Sequence, residues 1–225
     1  MYPTSPEANV RLVNVYQANS RYEEADALLR RWQEKDKDNP IIAAHLYNNE
    51  QYMKIYKEIG PLETRWKANP MDLKSGLTLM SRYNILRRTA DVDRIGRSIL
   101  TNPRIGGPVY VQLAEHFTSF KRYQLAHEAL DRYARTTPTK YKVDIERAAI
   151  HLESGDLGEC FQSMAAAIRL QPAIARDAIR KDARFEKLRT HPRFGPHYAR
   201  LIPAQRPSKI RPPNGGGGFG GFRTP

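Results

Sequence analysis

The sequence has few of the features that mark secreted, membrane-spanning or disulfide-stabilised proteins. Cys160 is its only cysteine, which excludes an internal disulfide and favours a reducing compartment. No apolar run approaches the roughly 20 residues that a membrane-spanning helix needs. The N-terminal segment Met1–Pro6 has neither the basic nor the apolar region of a signal peptide. These absences predict a cytoplasmic protein.

Motifs for metal binding and catalysis are also missing. The six histidines form no His-x-x-x-His pair, and there is no Cys-x-x-Cys. The segment Gly106-Gly107-Pro108 lacks the Lys-Ser/Thr that completes a phosphate-binding loop. Cys160 falls at a helix-packing position, which predicts a buried, unreactive thiol. The sequence therefore predicts no cofactor, no metal site and no enzymatic activity.

The net charge of +13 is concentrated at the C-terminal end. From Arg176 onward there are twelve Lys and Arg against three acidic residues, so this stretch carries +9 and residues 1–175 carry +4. Such asymmetry is typical of a segment that meets an acidic protein, an anionic membrane surface or nucleic acid. A basic tail that serves only solubility has the same composition, so both interpretations stay open.

Prolines mark an internal repeat. Five Xaa-Pro dipeptides, whose prolines lie 30, 33, 35 and 34 residues apart, occur along the chain: Asn39-Pro40, Asn69-Pro70, Asn102-Pro103, Thr137-Pro138 and Gln171-Pro172. Proline cannot continue a helix interior, and the residue before it is driven out of the α region. Each dipeptide is therefore expected to end one structural unit and begin the next.

Each good unit has the apolar spacing of two helices. In the unit before Pro138 the apolar positions are Leu113, Ala114, Phe117, Tyr123, Ala126, Leu130 and Tyr133. The first unit has the same pattern at Leu12, Tyr16, Tyr22, Ala25, Leu29 and Trp32, and the last unit has Ala148, Leu157, Cys160, Met164 and Ala167. Small side chains at Ala25, Ala126 and Cys160 let two helices approach closely.

Three segments resemble the turn and second-helix start of tetratricopeptide repeats: Arg21–Ala25, Lys121–Ala126 and Gly155–Cys160. The resemblance covers residues 1–172 as about five units. It implies an all-α fold, a right-handed α-solenoid of antiparallel helix pairs, and a role in holding other proteins. It is specific for fold and says little about the partner.

The second and third units depart from the pattern. In residues 41–70, Gly60-Pro61 is expected to interrupt the second helix, and in residues 71–103, Asp91 stands where a small residue is expected. These units are either degenerate repeats or repeats with shifted, shortened helices. At the start of the array, Thr4 and Glu7 form a capping box.

Two further segments follow the repeats. Residues 173–202 resemble the closing segment of bacterial tetratricopeptide proteins, with Phe185, Leu188 and Phe194 as its core. Residues 203–225 are rich in proline, glycine and basic residues and cannot build a core. We expect this extended tail to dock on a partner, with Phe219 and Phe222 as anchors.

Partner-binding residues are expected on the concave face and in the tail. Polar residues that the core pattern does not use are Arg11, Asn14 and Gln17 in the first unit and Gln112, Glu115 and Thr118 in the fourth. The tail adds Arg206, Lys209, Arg211, Phe219 and Phe222. Each of these could also be ordinary solvated surface. A clamp for a C-terminal carboxylate is disfavoured, because Ala44 and Leu77 occupy the places where it needs polar residues.

The predicted function is a non-catalytic interaction scaffold, serving as an accessory or assembly subunit of a larger complex. That complex could be membrane-associated, with the basic end at the cytoplasmic face. Two alternatives remain: an RNA-binding helical repeat, invited by the charge and the period, and the repeat region of a larger enzyme or sensor. Against RNA binding, most of the positive charge lies outside the repeats. No small-molecule substrate is predicted.

Overall fold

The computed structural model describes residues 5–103 and 105–204. All regular secondary structure within these residues is helical, which confirms the predicted all-α class. The described residues divide into two units between Ala175 and Arg176. The predicted tail lies outside the described residues beyond Ala204.

The first unit is built from nine helices of similar design, with one exception in length. They are α1 (Pro6–Ala18), α2 (Tyr22–Lys35), α3 (Pro40–Ala68), α4 (Leu73–Ile85), α5 (Thr89–Leu100), α6 (Gly107–Ser119), α7 (Tyr123–Thr136), α8 (Lys140–Ser154) and α9 (Leu157–Leu170). A tenth helix, α10 (Pro172–Lys181), spans the division between the units. The helices α1/α2, α4/α5, α6/α7 and α8/α9 pack as consecutive pairs.

The four pairs share one turn. The residue before the N-cap of the second helix has a left-handed backbone in every case: φ is 59° at Ser20, 57° at Arg87, 58° at Lys121 and 86° at Gly155. The next backbone N–H then bonds the carbonyl five residues earlier, as in Arg21 to Tyr16 (2.9 Å). This left-handed residue reverses the chain and satisfies a carbonyl at the end of the first helix. The common turn confirms that these pairs are repeats of one unit.

An arginine closes three of these turns. The guanidinium carbon of Arg21 lies 4.8 Å from the centre of the Tyr16 ring, and that of Arg88 lies 4.7 Å from the Tyr83 ring. Arg21 also pairs with Glu24. In the third turn, the Arg122 Nε donates to Asp93 Oδ1 at 2.7 Å, which ties α7 to α5. Stacking and ion pairing together hold the turn against its left-handed strain.

The second predicted unit is not a pair at all. Gly60-Pro61 is expected to interrupt the second helix, but α3 continues through both residues for 29 residues in total. That prediction is wrong because Gly60 and Pro61 are exposed. Pro61 has no N–H to donate to the carbonyl of Lys57, but Lys57 is exposed. No packed neighbour therefore resists the small distortion of the helix that the proline ring causes.

The third predicted unit is a regular pair whose register differs by one residue from the expected one. Asp91 is predicted at the small-residue position, yet the fourth residue of α5, equivalent to Ala25 of α2, is Val92, which is fully buried. Asp91 instead pairs with Arg88 and Arg94 on the surface. The correct register is legible in the sequence, because Val92 lies 67 residues after Ala25 and 34 residues before Ala126.

The first helix is capped one residue later than predicted. Ser5, not Thr4, is the N-cap of α1, and its Oγ accepts from the backbone N–H of Ala8 at 3.2 Å. Thr4 lies outside the described residues. Proline at the first helical position fits this start, because that position needs no N–H partner.

Two hydrophobic cores share α3. The smaller core joins α1, α2 and the first half of α3, with Val13, Leu29 and Ile42 at its centre. The larger core joins Tyr22 of α2 to the second half of α3 and to α4–α8, and it includes Ile59, Trp66, Leu79 and Phe117. Burial of these side chains is the main stabilising contribution to a repeat array, where each unit packs only on its neighbours.

Two glycines allow close packing in the larger core. A Cβ at Gly76 would lie 2.6 Å from the Trp66 ring, and a Cβ at Gly96 would lie 2.6 Å from the Phe117 ring. These distances are too short for real carbon contacts, so any larger residue would displace the aromatic ring. In α5, Gly96 therefore allows the close approach of two helices. The sequence pattern predicts the small residue earlier in the same helix.

A polar network fixes the second half of α3 on the pair α4/α5. The buried Tyr83 hydroxyl donates to Glu63, and Arg94 donates to the same carboxylate at 3.1 Å. The Tyr83 hydrogen bond, followed by that of Arg94, lowers the pKa of Glu63 against the opposing effect of burial. Burial and the Glu63 carboxylate raise the pKa of Tyr83. At neutral pH the network keeps the Glu63 carboxylate charged and fixed in position.

The second unit contains the end of α10 and two short helices, α11 (Glu186–Arg189) and α12 (Gly195–Leu201). Phe185 and Leu188 are buried in it and Phe194 is half-buried, while Tyr198 and Ile202 supply further buried side chains. Arg176 Nε donates to the carbonyl of Leu201 at 3.2 Å. That this segment closes the repeat array stays a prediction.

Candidate partner-binding surface

The first unit has a cleft where the ends of two helix pairs meet beside α3. Its volume is about 460 Å³. It is bounded by the C-terminal half of α1, by α3 between His45 and Tyr52, and by the α4/α5 turn. The lining residues are Asn14, Gln17, Ala18, Tyr22, His45, Asn48, Tyr52, Ile85, Leu86 and Arg87. The end of α1, the start of α2 and the α4/α5 turn thus border the same part of the continuous helix α3.

Amide side chains dominate one wall of the cleft. Gln17 Nε2 donates to the Oδ1 of buried Asn49 at 3.1 Å, and Asn49 Nδ2 donates to the carbonyl of Tyr22 at 2.8 Å. These bonds fix Gln17 in place. Asn14 and Asn48 are exposed, and their side chains form no hydrogen bond within the described residues. Both can therefore donate to and accept from a bound molecule.

The side chains that line the cleft are positively charged or neutral. Arg87 is exposed at the left-handed position of the α4/α5 turn, and His45 lines the cleft from α3. No Asp or Glu lines the cleft. An acidic group is therefore a better match for this surface than a basic one.

Tyrosines form the floor of the cleft. The ring centre of Tyr22 lies 6.2 Å from that of Tyr52 and 5.2 Å from that of Tyr56. Burial raises the pKa of Tyr22. The Tyr22 hydroxyl is buried near Ser20 but makes no hydrogen bond of normal geometry in the described residues. Rings at these separations attract one another and give the floor a fixed shape.

A shallower depression continues the cleft toward the start of α3. It has a volume of about 290 Å³ and is lined by Pro40, Ile41, Ala44, His45 and Asn48. Ile41 is 55% exposed, so this end offers uncovered apolar surface. We call the cleft and this depression together the α3 groove. It offers apolar surface at one end and amides and a cation at the other.

The predicted concave-face residues fall in two places. Asn14 and Gln17 line the α3 groove, whereas Arg11 is exposed elsewhere on α1. On α6, Gln112 and Glu115 are exposed, and Thr118 is half-buried with its hydroxyl bonded to the carbonyl of Ala114 on the same helix at 2.7 Å.

A second groove lies between α4 and α6. It is lined by Leu73, Lys74, Leu77, Thr78, Ser81, Arg82 and His116, and so by none of the three residues predicted on α6. The predicted tail residues Arg206, Lys209, Arg211, Phe219 and Phe222 lie outside the described residues. Whether any of these side chains contacts a partner stays a prediction.

Sequence reasoning did not identify His45, Asn48 or Arg87 as surface-forming residues. His45 and Asn48 belong to a unit that departs from the repeat pattern, and Arg87 lies in the turn before α5, whose register the prediction places one residue too early. The available signal was the spacing of 67 between Arg21 and Arg88, which marks the same turn two units later.

The other side chains that could take part in chemistry, Cys160, His127 and His151, lie in contacts between helices. Cys160 is fully buried, as predicted, and burial raises the pKa of its thiol to about 12. The His127 and His151 rings, on α7 and α8, lie 4.6 Å apart, and burial followed by the nearby His151 lowers the pKa of His127. Across the described ranges, no three His, Cys, Asp or Glu side chains converge as metal ligands would.

None of the helices in residues 5–103 and 105–204 combines the length and apolar character that crossing a membrane requires. No family model and no curated protein matches the sequence. Among solved structures, the chain is similar to TTC0263, a thermophilic TPR protein in Thermus thermophilus. The match has 18% identity and a TM-score of 0.32, and it covers 78% of this chain and 96% of that chain. A likeness at this level assigns neither family nor function.

Proposed function

We propose that this chain is a non-catalytic scaffold of the tetratricopeptide type that binds a polypeptide segment of another protein in the α3 groove. The supporting observation is the composition of the groove: uncommitted amides at Asn14 and Asn48, a cation at Arg87, and no carboxylate. Arrays of packed helix pairs generally serve as binding surfaces, because their concave and lateral faces are extended.

The side chains of the groove suit an extended, acidic peptide. A peptide main chain offers one donor and one acceptor per residue, and an asparagine amide can meet both. Exposed Ile41 provides a place for an apolar side chain of the peptide. Arg87 and His45 would favour an acidic residue or terminus at the other end.

The proposal extends to an accessory or assembly role in a larger complex. The basic residues from Arg176 onward and the predicted tail anchors Phe219 and Phe222 would form a second contact. That contact would be with a protein of the complex or with an anionic membrane surface on the cytoplasmic side, where each basic residue near the lipid adds attraction. In both cases the groove would provide specificity and the basic end would raise local concentration.

The test is affinity capture from native extract with matched variants of the full chain. Asn14→Ala/Asn48→Ala removes the uncommitted amides, and Gln162→Ala removes an exposed amide from α9 as a control. Phe219→Ala/Phe222→Ala removes the predicted tail anchors. We expect a defined set of proteins that Asn14→Ala/Asn48→Ala loses and Gln162→Ala keeps.

Other outcomes contradict the proposal in distinct ways. Equal capture by the groove variant and its control would exclude the α3 groove. Loss of capture only with the phenylalanine variant would assign binding to the tail. Capture of nucleic acid without protein, persisting at high salt and preferring one sequence, would replace the scaffold with the RNA-binding alternative.

A further inference from the structure

The positive charge of the repeats is concentrated in one short stretch. Residues 87–122 contain seven Lys and Arg against three acidic residues, a net charge of +4. Residues 1–86 contain twelve basic and eleven acidic residues (+1), and residues 123–175 contain six and seven (−1). The charge of the array therefore lies in α5, α6 and the turns that precede α5 and α7. This location is distinct from the basic C-terminal end.

Each of these two turns has one cation that stabilises the fold and one that does not. The arginine after the left-handed position, Arg88 or Arg122, is paired with a carboxylate of α5. The left-handed residue itself, Arg87 or Lys121, is exposed and makes no ion pair in the described parts of the chain. Glycine suits this backbone best, as Gly155 does in the α8/α9 turn, so backbone geometry requires neither cation.

A cleft between α5 and the start of α7 contains two of the uncommitted cations. Its volume is about 270 Å³, and its lining residues are Asp93, Arg97, Lys121, Arg122, Tyr123, Gln124 and Leu125. Arg97 is exposed and, like Lys121, has no ion pair within the residues that the structure describes. Asp93 is the one carboxylate among the lining residues, and Arg122 already pairs with it. We call this cleft together with Arg87 the turn edge.

The turn edge meets the α3 groove at Arg87, which also lines that groove. We propose, building on the proposed function, that the acidic segment bound in the α3 groove continues past Arg87 along the turn edge. Arg97 and Lys121 would pair there with further carboxylates of the same segment. Since α5 and α7 pack on each other and packed helices lie about 8–10 Å apart, about three residues of extended peptide reach from one turn to the next.

The turn edge fits a short run of carboxylates better than a nucleic acid. Stretches of nearly zero net charge precede and follow residues 87–122, whereas a nucleic-acid backbone needs a longer basic track and aromatic faces for its bases. The aromatic residue among those that line the cleft, Tyr123, is half-buried, and its hydroxyl donates to the carbonyl of Glu153 at 3.0 Å. This ring is therefore held against α8 and does not form a stacking platform.

The test measures the binding of two fluorescein-labelled peptides to the full chain by fluorescence anisotropy at low salt. The short probe has about six residues, an isoleucine and glutamates among them, and the long probe adds about six residues rich in glutamate. Both are made in the two sequence directions. The long probe should bind about fivefold more tightly than the short one, and this gain should fall as the salt concentration rises.

The variant Arg97→Ala/Lys121→Gly removes the two cations of the turn edge that do not line the α3 groove. It should abolish the gain of the long probe and leave binding of the short probe unchanged. Its thermal stability should not fall, because glycine relaxes the left-handed backbone and alanine favours helix. Arg135→Ala/Lys142→Ala removes two exposed cations from α7 and α8, and this matched control should keep the gain.

Equal affinity of the native chain for the two probes overturns the inference, and so does an equal loss of the gain in the turn-edge variant and its control. Tighter binding of an oligouridylate of the same charge, lost in the turn-edge variant, also overturns it, because nucleic acid would then be the occupant.

Asn14→Ala/Asn48→Ala separates this inference from the proposed function. It should weaken the binding of both probes. If it weakens neither, or if the native chain binds neither probe, the proposed function is wrong and this inference falls with it. If it weakens both while Arg97→Ala/Lys121→Gly weakens neither, only the continuation along the turn edge is wrong.

Discussion

Helix α3 and the four helix pairs are built on the same repeat, but they differ in the residues at the turn position. Each pair reverses direction at a left-handed residue, and only Gly155 among these four is a glycine. In three of the turns the following arginine offsets the strain by stacking or ion pairing. In α3 the residues 33 positions before Arg87 and Arg88 are Lys54 and Ile55, so no arginine follows the turn position, and the chain stays helical.

The difference shows that side-chain contacts, and not turn-forming residues alone, decide where this repeat folds back. Gly60-Pro61 is the strongest local breaker in the region, and it does not end the helix. Arg88 stands between two helices with no breaker near it, and there the chain turns. Local propensity is a weak guide when packing and stacking oppose it.

The largest expected effect comes from separating α3 from the larger core. Trp66→Ala should lower the free energy of unfolding by about 3–5 kcal/mol, because it leaves a cavity against Gly76 and the α4/α5 pair. Tyr47→Ala, on the same helix at 64% exposure, is the matched control and should change it by less than about 0.5 kcal/mol. Chemical denaturation followed by circular dichroism measures both. Equal effects would mean that α3 is not anchored through Trp66.

Pro61→Ala tests the continuity of α3 directly. Alanine restores an N–H that can bond the Lys57 carbonyl and removes the proline ring, so the free energy of unfolding should rise by about 2–3 kcal/mol. Pro138→Ala, in the exposed segment before α8, is the control and should give no gain. Destabilisation by Pro61→Ala would show that the proline ends a helix in solution.

Asn49→Ala probes the polar link between the first pair and α3. It removes the amide that bonds Gln17 and the Tyr22 carbonyl, leaving a buried carbonyl without a partner, so we expect a loss of about 1–3 kcal/mol. Asn48→Ala, one residue away and exposed, should be neutral in stability. Thermal unfolding distinguishes the two, and a neutral Asn49→Ala would show that this link does not stabilise the fold.

Tyr83→Phe should have the smallest effect, with a characteristic pH dependence. The Tyr83 hydrogen bond is the main cause of the lowered pKa of Glu63, and a lowered carboxyl pKa stabilises the fold above the unfolded value of about 4.3. That stability is lost as pH falls through the folded value. Tyr83→Phe should therefore cost about 1 kcal/mol at pH 7 and less at pH 3.

The control for this pH dependence is Tyr47→Phe, which removes an exposed hydroxyl from α3. It should change stability at neither pH. Urea titrations of both variants and the native chain at the two pH values give the comparison. A cost of Tyr83→Phe that is the same at pH 3 and pH 7 would mean that Glu63 does not contribute through its charge.

Much of the fold could be predicted because repeated burial leaves a repeated pattern. The buried positions Ala25 and Leu29, and their equivalents Ala126 and Leu130 three units later, follow from helical spacing alone. The continuity of α3 through Pro61 could not be predicted by the same means. Whether a proline ends a helix depends on the exposure of its surroundings, which the tertiary packing sets.

The candidate site was predicted only where it lies in a regular repeat. Asn14 and Gln17 are polar and lie off the core pattern of the first helix, which predicts them at a binding surface, and both line the α3 groove. Arg87 and Asn48 depend on how α3 brings two turns together. That arrangement is a property of the packed unit, so no single segment of sequence carries it.

The sharing of α3 between two cores has a kinetic consequence. Contacts in each core join residues that are close along the chain, which favours folding within milliseconds or faster. The 29 helical residues of α3 extend for about 43 Å, and its two ends pack in different clusters. Opening of either core should therefore loosen the end of α3 that packs in it. Opening of the smaller core should expose the amides around Leu46 and opening of the larger core those around Trp66, so amide hydrogen exchange along α3 should report the two events separately.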